Sequence, residues 1–120
     1  MYLYSFEKLE VWQDARQLVK KMYLLTKQFP VEERFGLSSQ IQRATVSVMS
    51  NIAEGISRST VKEKCRFIEI SFGSLMEVLS QLYIAFDLEY ISEQQFTETK
   101  ADIDKIANKL NALNRSFQTR

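Results

Sequence analysis

The side chains best suited to hold a ligand are four basic groups clustered between positions 58 and 66: Arg58, Lys62, Lys64 and Arg66. Guanidinium and ammonium groups in such a cluster bind phosphate oxygens, and an adjoining helix N-terminus adds unpaired N–H donors. The same charges would also serve as the solvated edge of an exposed connection. Arg43 supplies a fifth basic group upstream. A contact surface made of Arg43, Arg58, Lys62, Lys64 and Arg66 would grip nucleic-acid backbone, with salt-dependent and sequence-independent affinity.

A second group is Asn51 and Glu54, one helical turn apart among apolar residues. A buried carboxylate needs a partner, because an unpaired charge away from water is costly. Arg43, Ser71 and Ser74 are the candidates. Asn51, Glu54 and Ser74 therefore read as a polar network that fixes helix register, or as a cap at the end of a helix. A catalytic carboxylate fits less well, since such groups work in pairs or with a metal.

The chain contains no histidine. That removes imidazole acid–base catalysis, Ser-His triads and nearly all zinc sites. No catalytic residue, cofactor site or metal site is expected, and the chain reads as a non-enzyme. Cys65 is the single cysteine, so no internal disulfide is available, which fits a reducing cytoplasm. It falls on an apolar row and reads as a small buried residue. Trp12, at helical spacing with other apolar residues, reads as core.

The net charge of +1 gives no global attraction to nucleic acid, but the charge is unevenly spread. From Arg34 to Arg66, Arg34, Arg43, Arg58, Lys62, Lys64 and Arg66 stand against Glu54 and Glu63. From Phe67 to Asp104, Lys100 stands alone against eight acids.

The elements that must position these groups are helices. With three glycines and one proline in 120 residues there is little turn material, so few, long elements are expected. The spacing predicts a first helix from about Lys8 to Phe29, with Trp12, Ala15, Val19, Met22, Thr26 and Phe29 on its core stripe and Pro30 ending it. One helical turn is expected at Glu32–Phe35. A second helix runs from about Leu37 to Ala53, with Gly55 as its C-terminal cap. A third runs from about Thr60 to Glu89, capped by Ser59 or Thr60 with Glu63 closing a capping box. Gly73 in its interior points to close approach of another helix. The fourth follows Ser92, with Gln95 as capping-box partner, and repeats Phe96, Thr99, Ile103, Ile106, Leu110, Leu113 and Phe117. Short connections make neighbours antiparallel, so the fold class is all-α, an antiparallel up-down-up-down four-helix bundle in one domain over residues 1–120.

No uncharged apolar stretch is long enough for a membrane span, and Met1–Leu9 lacks the pattern of a secretory signal. Helices one to three carry more apolar residues than one core stripe needs. Either the core is thick or the extra rows meet other copies of the chain, giving a closed homo-oligomer.

An ordered series of short pieces carries a resemblance: Phe6-Glu7-Lys8-Leu9-Glu10-Val11-Trp12, Phe29-Pro30, Glu33-Arg34-Phe35-Gly36-Leu37, Gln40-Ile41-Gln42-Arg43-Ala44, Asn51-Ile52-Ala53-Glu54-Gly55, then Gly73-Ser74 and Glu77. Over roughly Phe6 to Ile91 the chain resembles the four-helix-bundle family encoded by intervening sequences of bacterial 23S rRNA genes, also labelled the S23 ribosomal protein family. Gln42 stands where that family often has a second basic residue. The resemblance implies a bacterial, cytoplasmic homopentamer with no assigned enzymatic activity. A related family similar in fold, the accessory variability proteins of diversity-generating retroelements, is pentameric, basic and binds nucleic acid. The resulting expectation is an oligomeric accessory or scaffold protein that meets RNA or DNA through a basic face, with no membrane partner. The alternative is a protein–protein interaction module whose acidic stretch, Glu69 to Asp104, matches a basic partner.

Overall fold

The computed structural model describes residues 1–119. Four helices make up the fold: α1 Glu10–Thr26, α2 Leu37–Ser57, α3 Val61–Asp87 and α4 Glu93–Gln118. Two single 3-10 turns, Ser5–Lys8 and Val31–Glu33, flank α1. Neighbouring helices run antiparallel. Ser47 and Gly55 of α2 face Ser74 and Phe67 of α3, and Asp14 and Lys21 of α1 face Lys109 and Asp102 of α4. The result is the expected up-down-up-down bundle, 46 × 29 × 21 Å. Of the adjacent helix pairs, α2 and α3 pack most intimately and α1 and α4 touch least.

The core follows the apolar periodicity. Ala15 and Met22 of α1, Ile41, Val48 and Ile52 of α2, Leu75, Val78 and Leu82 of α3, and Ile103 and Leu110 of α4 are all fully buried. Trp12 sits at the rim of this core, edge-on to Phe6 at 5.0 Å, with the Arg16 guanidinium over its ring. Cys65 packs partly buried against the same core. By length and composition α3 is apolar enough to cross a membrane. In the bundle it forms the wall shared by α2 and α4, which is why both of its flanks are apolar.

Helix ends differ from the sequence expectation in instructive ways. α1 stops at Thr26, and Lys27, Gln28 and Phe29 donate three residues back, so the chain tightens into 3-10 geometry before Pro30. The following turn lies at Val31–Glu33, one residue earlier than the periodicity suggests. Thr60 caps α3 by accepting the Glu63 N–H, without the reciprocal Glu63 contact, whereas Ser92 and Gln95 form the full capping box of α4. α3 closes in a Schellman arrangement: Tyr90 N–H reaches the Ala85 carbonyl at 2.8 Å and Glu89 occupies the left-handed region at φ 62°.

Neither Gly55 nor Gly73 plays its expected role within the chain. Gly55 is not a C-cap, because α2 continues through it to Ser57. It is buried, and a Cβ there would lie 3.0 Å from Phe67 Cβ and 3.3 Å from the Lys64 carbonyl oxygen. Gly55 is therefore a point of close α2–α3 approach. A Cβ on Gly73 would meet nothing within 4 Å, so no intrachain packing requires that glycine.

Candidate nucleic-acid interface

The α2–α3 connection is three residues long, Arg58 to Thr60. Arg58 leaves the helix in extended geometry and returns its own N–H to the Gly55 carbonyl. Thr60 then starts α3. This tight reversal brings the basic cluster to one end of the bundle and divides it.

Arg58, Lys62 and Arg66 are exposed. Lys62 and Arg66 are four residues apart and so share a face of α3. Arg58 is held by two contacts: its guanidinium donates to Glu54 at 3.2 Å and lies 4.6 Å from the centroid of the Phe67 ring. The close approach at Gly55 is what carries Phe67 near enough to α2 to support that guanidinium. Lys64 points elsewhere. Its Nζ donates to the Ile56 carbonyl at 2.9 Å and lies 5.8 Å from the centroid of the Phe117 ring. It thereby satisfies a carbonyl in the last turn of α2. Arg43 is exposed on α2, fifteen residues before Arg58, or roughly 22 Å away at 1.5 Å per residue. Arg58, Lys62 and Arg66 are thus the exposed cations of the cluster at this end of the bundle, whereas Lys64 turns to the end of α2 and Arg43 lies far along that helix.

The polar residues of α2 also separate. Asn51 donates to the Ser47 carbonyl at 2.8 Å and to Ser47 Oγ at 3.0 Å, and Ser47 Oγ meets Ser74 Oγ at 2.8 Å. Ser71, fully buried, donates to the Val48 carbonyl at 2.7 Å. These bonds tie α2 to α3 in one register. Glu54 takes no part: it is exposed and pairs with Arg58 instead of Arg43, Ser71 or Ser74.

A groove of about 570 Å³ opens between α1 and α4, floored by Leu18, Leu25 and Ile106 and rimmed by Lys21, Asp102 and Lys105. Lys21 and Asp102 form an ion pair across it. No sequence signal marks this feature, since its two walls lie some eighty positions apart.

An all-helical antiparallel bundle with a basic edge at one turn and no histidine anywhere defines the class of this molecule. Residues 7–112 match the family model of the 23S rRNA-intervening sequence proteins, and the chain belongs to that family. The match extends into α4, beyond the Phe6–Ile91 stretch that carries the short motifs. In fold the chain is similar to a crystal structure from Bacteroides thetaiotaomicron, a protein with unknown function from the S23 ribosomal protein family. The two are 22% identical, with a TM-score of 0.81, over 87% of this chain and 97% of that one. The comparison with curated proteins finds no match.

Proposed function

We propose that this protein is a non-enzymatic, cytoplasmic homo-oligomer that associates with nucleic acid through the α2–α3 end of each subunit. The observation that carries this reading is the outward cluster of Arg58, Lys62 and Arg66 at the N-terminus of α3. Val61 and Lys62, the first residues of that helix, have N–H groups free of intrachain acceptors among the described residues. A helix N-terminus beside three cations suits phosphate oxygens. The family description, which refers to 23S rRNA intervening sequences, is in keeping with an RNA-associated role. Oligomerisation would repeat the patch once per subunit and multiply a weak local charge.

Binding of RNA and of DNA at two salt concentrations tests the reading. Retention at low salt should weaken with a log–log slope of about −3 for each subunit engaged on duplex, near −0.9 per phosphate contact. Changing Arg58, Lys62 and Arg66 together to Glu should weaken binding more than tenfold. No retention at low salt, or an unaffected triple variant, refutes it.

The groove between α1 and α4 favours a second reading, a protein–protein interaction module without a nucleic-acid role. In that case a partner recovered by pull-down survives nuclease treatment, and its capture is lost when the Leu25 and Ile106 floor is changed to polar residues.

A further inference from the structure

α2 and α3 each expose a row with coiled-coil spacing. On α2 it runs through Arg43, Val46 and Ser50, and on α3 through Ile70, Gly73 and Glu77. Alternating steps of three and four residues make a continuous seam along a helix. Val46 is 38% and Ile70 40% exposed, and Ile84 continues the α3 row at 45%. Neither Arg43 nor Glu77 has an ion-pair partner among the described residues. Gly73 sits mid-helix, where glycine weakens the helix, with open space around it.

The heights of these residues match. Residues 47, 48 and 55 of α2 lie opposite residues 74, 71 and 67 of α3, so each step up α2 is a step down α3. By that register Arg43 stands level with Glu77, Val46 with Gly73 and Ser50 with Ile70. In a closed ring whose axis runs along the bundle, neighbouring copies are related by rotation without rise. The α3 of one copy then meets the α2 of the next at these same levels.

We propose that these two rows are the halves of one subunit contact, in which α3 of one copy docks antiparallel on α2 of the next. Arg43 meets Glu77, Val46 covers the space over Gly73, and Ile70 covers Ser50. Charge pairs with opposite charge, and each large side chain faces a small one. Gly73 is needed because a side chain there would hold the helices apart. The two rows differ, so the contact is heterologous, and with the copies level it repeats around a ring when the rotation closes. This inference rests on the homo-oligomer reading and identifies the surface that makes it.

The test is light scattering on four variants beside the wild type. Gly73→Leu should keep the helical circular-dichroism spectrum, since the isolated subunit has room for it, yet run at single-chain mass. Arg43→Glu and Glu77→Arg should each weaken association at least tenfold, and the two together should restore it. A wild type that is itself a single chain overturns both this contact and the oligomer reading. An oligomeric wild type with Gly73→Leu at unchanged mass overturns the contact alone. If Gly73→Leu loses its helical spectrum, the charge pair decides: failure of the double variant to recover overturns the contact.

Discussion

Gly55 and Phe67 approach so closely that a Cβ on the glycine would lie 3.0 Å from that of the phenylalanine. The second neighbour, the Lys64 carbonyl oxygen at 3.3 Å, is backbone. Neither can swing aside as the tip of a long side chain would, so any added carbon pushes α2 away from α3. Gly55→Ala gains about 1 kcal/mol of helix propensity but incurs overpacking of about 1–3 kcal/mol, a net loss of about 1 kcal/mol. Urea denaturation should show a lower midpoint at unchanged slope. Because Phe67 supports Arg58, the same variant should also loosen any phosphate contact made by that guanidinium.

Glu89 is the described non-glycine residue with positive φ, 62°. Left-handed geometry costs an ordinary residue about 1 kcal/mol, and glycine is free of that penalty. The Glu89 side chain is exposed, so little else is lost on removing it. Glu89→Gly should therefore raise stability by about 1 kcal/mol, seen as a higher thermal midpoint. A fall would mean that the carboxylate makes a contact outweighing the backbone strain.

Two groups titrate abnormally on the alkaline side. Lys109 of α4 donates to Asp14 at 2.6 Å and to Glu10, and these bonds, Asp14 first, hold its pKa above the usual lysine value of 10.5. Tyr90 donates to Glu33 at 2.9 Å, and that bond, aided by burial, holds its phenol above 10.0. In both cases the folded chain favours the protonated form. The stabilisation is complete below the unfolded values and lost as pH rises through the folded ones. Unfolding free energy should therefore decline above about pH 10. The double variant Tyr90→Phe, Lys109→Met should decline less steeply in that window while keeping the wild-type slope between pH 6 and 8.

Much of this architecture is legible in the residue pattern, and particular residues show where legibility ends. Ala15, Ile41, Leu75 and Leu110 fall on their apolar rows and are buried as those rows require. Ser92 with Gln95 announces a helix start by local chemistry alone, and the capping box is present. Glu54 sits among apolar residues in sequence yet faces water, because two helical steps of about 100° each carry it to the far side of α2 from buried Ile52. Lys64 belongs to the basic cluster by number, but its side chain turns to the end of α2. Periodicity assigns a residue to a face without saying what that face meets.

The sequence by itself determined the class of fold, the four helices, the core rows and the family, because each depends on local spacing and composition. Only the tertiary structure decided which glycine permits helix contact, which cation of the basic cluster turns back to α2, and that Asn51 reaches Ser74 through Ser47 while Glu54 does not. Those facts depend on distances between residues remote in the chain, set by how far each helix is rotated and how closely α2 lies on α3. No local pattern encodes that rotation and separation. They emerge when buried side chains on different helices must fill one common space.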